Sequence, residues 1–210
     1  MICWSQRRDR LSNWIGGLGL RDDRAAQLVE FAVALPLLVF FVIGIFDFSN
    51  AFTFKQKLTN ITRDAARAAA SDPANDLQSY STVAPASVID AFYDIYNSLQ
   101  ANNINTCGIS STPSPSGVLT WTYTASGNGC PPFGLTIIIN RGYYFPSAAA
   151  TQPANCQTPQ PPGGQTAIIG TCISVQYGYQ WRFGRIASLL GGATALPTTI
   201  SAAAVAMNEN

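Results

Sequence analysis

The chain has 210 residues, which is enough for one domain of ordinary size and an anchoring segment. Asp, Glu, Lys and Arg make up 11% of the residues, against roughly 25% in typical soluble domains, and few of them follow Asp76. The formal net charge is +1, so the chain lacks the basic surface that nucleic acid binding requires, and we expect no nucleic-acid partner.

The first predicted element is a long helix that contains an apolar run. Residues 31–46 read FAVALPLLVFFVIGIF, without a charged or strongly polar side chain. About 20 helical residues cross a hydrocarbon core of ~30 Å, so the segment extended to Asn50 or Phe54 is long enough, although it includes Asp47. Pro36 is tolerated because a membrane helix adjusts locally around a proline. The sequence predicts a membrane span, and a buried core helix is the alternative.

Charged residues on the two sides of this run indicate its orientation. Five arginines lie in residues 7–24, whereas two lysines and two arginines lie in residues 55–67. The positive-inside rule therefore slightly favours a cytoplasmic N-terminus. We expect a single-pass protein of the bacterial inner membrane, with residues 1–25 in the cytoplasm and residues 55–210 in the periplasm. Conventional signal-peptide cleavage after Ala51 is the alternative, but the sequence before the apolar run is long for such a leader.

A glutamate lies directly before the apolar run, in a segment that reads RDDRAAQLVEFAVALP over residues 21–36. Drawing a carboxylate into lipid costs about 2.5–3.5 kcal/mol on insertion scales, so the position of Glu30 requires a reason. A simple interfacial carboxylate near a helix N-terminus is one reading. The segment also resembles the class III signal of type IV pilin-like proteins, and in particular the TadE-like family of the Tad (Flp) pilus system. The resemblance rests on Leu28-Val29-Glu30-Phe31, Leu35-Pro36, Asp47-Phe48, Gly191-Gly192 and Ala206-Met207-Asn208-Glu209.

This resemblance implies how the chain is processed and assembled. A prepilin peptidase is expected to cut between Ala25 and Ala26, although Ala25 stands where the family usually has glycine. Glu30, followed by Phe31, is then expected to neutralise the new amine of Ala26 in a neighbouring subunit, an attraction that is strong at low dielectric. The implied function is a structural and assembly subunit, a minor pseudopilin. Its implied partners are other pilin and pseudopilin subunits, the prepilin peptidase and the inner membrane, and its implied destinations include an extracellular pilus.

Beyond the apolar run the helical pattern continues, with apolar residues spaced three and four apart. These residues are Leu58, Ile61, Ala65, Ala68 and Ala69. We predict one helix from about Arg24 to Ala70, ended by Asp72-Pro73. Its small-residue face suits close packing in a bundle or filament, and packing on the chain's own domain is the equal alternative.

The remaining sequence predicts short elements. A second helix is predicted over 85–102 and a third, short one over 186–190, whereas strands are predicted over 118–124, 134–140, 172–183 and 198–207. We therefore predict an α+β fold, in which a long N-terminal transmembrane helix extends into a pilin-like periplasmic domain with a short helix and an antiparallel β-sheet. The predicted parts are a leader over 1–25, the transmembrane and amphipathic helix over 26–72, and the exported domain over 73–210.

Four cysteines, Cys107, Cys130, Cys156 and Cys172, lie beyond the apolar run. In a charge-poor region they indicate two disulfides and an oxidising compartment. Three pairings are possible, and we favour Cys107–Cys130 with Cys156–Cys172 because each closes a loop rich in Pro, Gly and Ser. Four buried free thiols, or a metal site made of all four cysteines, are the alternatives, but the C-x2-C pairs of structural zinc sites are missing. The loops predicted over 106–117 and 146–164 would then be pinned at the surface.

The sequence offers no arrangement for catalysis. The chain contains no histidine, which removes the commonest general base and the commonest zinc ligand. Neither a phosphate-binding glycine loop nor a dinucleotide fingerprint is present, and Asp90 and Asp94 are expected to form a solvated stripe on one helix. We therefore expect no enzyme, no cofactor and no metal. The alternative function is an uncleaved, membrane-anchored binding module of the cell envelope.

Overall fold

The computed structural model describes residues 23–79, 84–117, 119–144, 155–156, 169–182 and 196–209. Most of the predicted leader, the helix predicted over 186–190, the Gly191-Gly192 pair and most of the loop predicted over 146–164 lie outside the described residues. The chain divides into two compact units, Met1–Phe46 and Asp47–Asn210. Helix α1 runs through the boundary between them, and the sheet lies in the second unit.

The first element, α1, is a 49-residue helix over Asp23–Ser71. The predicted helix from Arg24 to Ala70 is confirmed, with Pro36 inside it. It ends directly before Asp72-Pro73, because the residue before a proline avoids helical geometry. The ends of this helix were therefore readable from local sequence.

The other described elements form the second unit, and their strands pair antiparallel in chain order, β1-β2-β3-β4-β5. This arrangement confirms the α+β prediction. A short 3-10 helix (Ala74–Ser79) precedes α2 (Ala86–Ala101), and the strands are β1 (Ser114–Gly117), β2 (Thr120–Ala125), β3 (Leu135–Tyr144), β4 (Ile169–Gly178) and β5 (Thr199–Met207).

The predictions for the sheet were wrong in two places. Residues 114–117 were predicted to be loop, but they pair with β2 as the edge strand, where a proline is tolerated because one side of the strand needs no partner. The strand predicted over 172–183 stops at Gly178, which pairs with Thr199 at the start of β5. One further backbone hydrogen bond follows this pair, from the N–H of Tyr179 to the carbonyl oxygen of Thr198 at 2.9 Å.

The core lies between α2, the second half of α1 and one face of the sheet. Leu58 and Ala69 of α1 are 0% exposed, and Phe92 of α2 stacks on Tyr123 of β2 with ring centroids 4.4 Å apart. Alternate residues of β4, Ile173, Val175 and Tyr177, are buried in this core. The small-residue face of α1 therefore packs on the chain's own domain, and the bundle alternative does not hold for it.

The opposite face of the sheet carries a second, smaller cluster around Cys156 and Cys172. Tyr143 and Ala203 are buried beside the two cysteines. The side-chain amide of Asn140 donates to the carbonyl oxygen of Cys156 at 2.8 Å, which fixes Cys156 to β3. Cys156 is thereby held against this face of the sheet.

The C-terminal end of α1 is held by a buried arginine. The side chain of Arg141 in β3 is fully buried, and its Nη2 donates to the carbonyl oxygen of Asp72 at 3.0 Å. Its Nε and Nη1 have no hydrogen-bond partner. Burial lowers the pKa of Arg141, while the charges of Asp76 and Asp72 oppose that shift. The chain after α1 is thereby tied to the middle of the sheet.

Candidate membrane and assembly segment

The residues predicted to be processed lie at the start of α1. Both Ala25 and Ala26 have helical backbone in its first turn, and Glu30 lies four residues further on, which is about one helical turn. Glu30 is exposed, and Phe31 beside it is 64% exposed. The carboxylate of Glu30 is therefore exposed in the first unit.

The first half of α1 exposes large apolar side chains on all sides. Among the described residues, α1 is the one helix that is long and apolar enough to cross a membrane. A helix that is apolar around its whole circumference is stable when lipid or other helices surround it. The exposed residues include Leu28, Val29, Phe31, Val33, Leu35, Leu37, Leu38, Val39, Phe41, Val42, Ile45 and Phe46. This segment can therefore insert into a membrane or pack among the helices of an assembly.

The aspartate that closes the apolar run is not exposed. Asp47 is 5% exposed, and the hydroxyl of Tyr179 donates to its backbone carbonyl oxygen at 3.4 Å. Burial raises the pKa of Tyr179, the charge and side-chain hydrogen bond of Asp47 raise it further, and Arg182 opposes the shift. From sequence, Asp47 only marked the end of the span. The sequence feature that could have indicated the burial of Asp47 is the run of aromatic residues after β4, which was predicted to be part of the strand.

Aromatic side chains surround this end of the second unit. The rings of Phe48 and Trp181 lie 5.1 Å apart, and those of Tyr179 and Trp181 lie 5.0 Å apart. The indole Nε1 of Trp181 donates to the carbonyl oxygen of Pro197 at 2.6 Å. Next to them a shallow groove of about 360 Å³ is lined by both aromatic and polar residues. They are Phe48, Ala51, Phe52, Lys55, Trp181, Thr199, Ile200 and Ser201.

The four downstream cysteines lie in two disulfides. Cys107 bonds to Cys130 with Cα atoms 5.2 Å apart, and Cys156 bonds to Cys172 with Cα atoms 5.4 Å apart. This is the pairing that the loop compositions favoured. The first disulfide ties the segment after α2 to the β2–β3 turn, and the second ties Cys156 to β4. Within the described ranges, no three His, Cys, Asp or Glu side chains are grouped to hold a metal ion.

One comparison with known proteins gives a match, and it covers the N-terminal segment. Residues 25–67 match the family model described as TadE-like protein. The predicted resemblance to the TadE-like family is thereby confirmed over the apolar run and over the part of α1 that follows it as far as residue 67. No curated protein matches the chain, and no solved structure matches it. The TadE-like match suggests a protein associated with a Tad pilus, and α1 is its candidate membrane anchor.

Proposed function

We propose that the chain is a TadE-like minor pseudopilin, a structural and assembly subunit of a Tad-type pilus. The observation that carries this proposal is that the TadE-like match begins at Ala25, beside the predicted cleavage site, and includes the whole apolar run. The exposed apolar side chains of α1 support it, because such a surface is stable in lipid or in an assembly. The chain acts by assembling with other pilin and pseudopilin subunits, and not as an enzyme.

The protein is held in the inner membrane with its N-terminus in the cytoplasm and its sheet domain in the periplasm. The disulfides Cys107–Cys130 and Cys156–Cys172 support this orientation, since disulfides persist in the periplasm and are reduced in the cytoplasm. The excess of arginines before the span agrees with it.

A prepilin peptidase removes the leader by cutting between Ala25 and Ala26. A protease needs locally unwound backbone, and this bond lies in the first turn of α1, where a helix frays most easily. Glycine at position 25 would favour unwinding by about 1 kcal/mol relative to alanine. The Ala25→Gly variant is therefore expected to be cut faster than the natural sequence.

After cleavage, Glu30 pairs with the amine of Ala26 on a neighbouring subunit. An unpaired charge at low dielectric is costly, so the pairing sets the stagger between adjacent helices. Glu30→Ala and Glu30→Gln are both expected to be cleaved and inserted but to assemble poorly. Glu30→Asp, which keeps the charge on a shorter side chain, is the matched control and is expected to assemble better than either. Normal assembly of the Glu30→Ala variant would contradict this role.

The N-terminus and intact mass of the protein from native membranes test the proposal, with the prepilin peptidase present and deleted. The expected result is a chain that starts at Ala26 only when the peptidase is present. An intact Met1 in both strains would overturn processing and leave a tethered envelope module. In that case, restored cleavage in the Ala25→Gly variant would locate the fault in the alanine at position 25.

A further inference from the structure

Aromatic side chains from three separate segments lie at one end of the sheet in the Asp47–Asn210 unit. Phe48 and Phe52 come from the start of this unit in α1, and they are 53% and 65% exposed. Trp181 follows β4 and lies against Phe48. Phe133 lies in the β2–β3 turn and is 67% exposed. These four residues are here named the aromatic collar.

The β2–β3 turn is fixed at this end by close contacts with the end of β4. The backbone N–H of Gly178 donates to the carbonyl oxygen of Gly134 at 2.8 Å. A Cβ added at Gly178 would lie 2.0 Å from the carbonyl oxygen of Pro132, so only glycine allows this approach. Phe133, Tyr179 and Trp181 are therefore held on the same end of the sheet.

The backbone of Phe133 has an unusual conformation. Its φ is +75°, a conformation that bulky side chains rarely adopt. The disulfide Cys107–Cys130 anchors the turn, and the N–H of Gly134 donates to the carbonyl oxygen of Pro131 at 3.0 Å. Residues in such conformations persist only where the surrounding structure holds them firmly. They are concentrated at functional sites.

The position of the collar along the chain places it beside the end of the apolar run. Phe48 is two residues beyond Phe46, and two residues of extended chain reach at most about 7 Å. The headgroup layer on each side of a bilayer is about 5–7 Å thick, from the difference between the total and hydrocarbon thicknesses. A helix over 27–46 rises about 30 Å, so when this stretch, rather than the extension to Asn50 or Phe54, spans the hydrocarbon, Phe48 lies within or close to the headgroup layer. Aromatic side chains are enriched at this depth in membrane proteins.

Charged residues at this end favour a lipid surface as the occupant. Lys55 lines the groove beside Phe52, and its Nζ donates to the carbonyl oxygen of Ser201. Arg182 is exposed next to Trp181. The acidic residue at this end, Asp47, is buried beneath Tyr179. The exposed charges near the collar are thus cationic, which suits the phosphates of phospholipid headgroups.

We propose that the aromatic collar lies in the headgroup layer of the periplasmic leaflet, with Lys55 and Arg182 facing lipid phosphates. The proposal rests on the membrane anchoring in the proposed function and adds a second contact with the bilayer, made by the folded domain itself. The subunit must break this contact whenever its helix leaves the membrane for an assembly.

Depth-dependent fluorescence quenching of the full chain in lipid nanodiscs tests the proposal, with one chain per disc. All four natural tryptophans are replaced by phenylalanine (Trp4→Phe, Trp14→Phe, Trp121→Phe and Trp181→Phe), and retained disulfides verify the fold of each variant. One tryptophan is then introduced by Phe133→Trp in the collar or by Tyr93→Trp on α2. Tyr93 is a matched control because it is 46% exposed and lies outside the collar. Val39→Trp, within the apolar run, reports on the anchor.

The quencher is phospholipid brominated either near the headgroup or deep in the acyl chains. We expect headgroup-proximal bromine to quench the Phe133→Trp variant several-fold more strongly than the Tyr93→Trp variant, and deep bromine to quench the Val39→Trp variant most. If the Val39→Trp variant is quenched but the two domain variants behave alike, the collar proposal is overturned and the anchor stands. If the Val39→Trp variant is not quenched, both fail. The same measurement is repeated in discs that hold several chains. Burial of the tryptophan of the Phe133→Trp variant only in those discs would also overturn the proposal, since the collar would then contact another copy of the chain.

Discussion

The two halves of α1 form one helix but meet different surroundings. Before Asp47, large side chains are exposed, such as Phe31 at 64% and Phe41 at 59%. After it, small side chains are buried, such as Ala65 at 3% and Ala69 at 0%. The difference shows that the small-residue stripe is already used by the chain's own core. The surface of α1 that crosses the bilayer therefore comes from the first half.

The largest contrast between the halves is expected from truncating one leucine in each. Leu58→Ala should lower the free energy of unfolding by about 2–5 kcal/mol, because Leu58 is fully buried and its truncation leaves a cavity. Leu38→Ala, at a residue 61% exposed, should change it by less than about 0.5 kcal/mol. Urea unfolding of the full chain in detergent micelles measures both. Equal losses would show that the two halves are packed alike.

Removing a disulfide should weaken the second unit and leave the anchor unchanged. The Cys107–Cys130 bond joins residues 23 apart in sequence, and the chain-entropy account gives such a loop about 3 kcal/mol of stabilisation. The double variant Cys107→Ser/Cys130→Ser should lose roughly this amount in urea unfolding and still sediment with membranes. Cys3→Ser is the matched control, because Cys3 lies in the predicted leader. Loss of membrane retention in the double variant would contradict the separation of the two halves.

Replacing an alanine by leucine should also change the free energy of unfolding differently in the two halves of α1, but by less than the truncation of a leucine does. Ala65→Leu adds three carbons to a full core and is expected to cost about 1–3 kcal/mol through overpacking. Ala34→Leu places the same enlargement on the exposed half and should leave the unfolding free energy unchanged. Unfolding curves of the two variants under identical conditions provide the check. A neutral Ala65→Leu substitution would mean that α1 packs loosely on the domain.

Alkaline pH should destabilise the second unit with a gentle onset. Burial raises the pKa of Tyr123, Tyr143, Tyr177 and Tyr179, so the folded state holds protons that the unfolded state releases above about pH 10. The urea concentration at the midpoint of unfolding should not change with pH below about pH 10 and should fall above it. Tyr123→Phe should reduce that slope. Residues 27–46 contain no tyrosine, so membrane retention should persist at alkaline pH.

Local sequence patterns were sufficient for α1, for α2 and for most of the sheet. The bounds of α1 and α2 follow from a helical period and from Pro73 and Pro85 beside their ends. Strand β5 was placed within one residue at its start, because its alternating pattern is bounded by Pro197. These features depend on neighbours along the chain, and sequence reasoning handles such neighbours well.

Features that depend on distant partners could not be predicted. β1 forms because residues 114–117 meet β2, although their Ser-Pro-Ser-Gly composition indicates a loop. The cover over Asp47 comes from Tyr179, 132 residues away. Phe133 had no periodic pattern, and its positive φ lies in a turn that the Cys107–Cys130 disulfide anchors. Which residues gather around the end of the span was therefore visible only in the folded chain.

Site-specific photocrosslinking at Phe41 tests the central claim most directly, namely that the first half of α1 leaves lipid for an assembly after processing. A photoreactive phenylalanine analogue at this exposed position is irradiated in cells with and without the prepilin peptidase, and the same analogue at the buried Phe92 is the control. The account predicts adducts with other pilin or pseudopilin subunits only when the peptidase is present, and lipid adducts when it is absent. Identical adducts in both strains would contradict it.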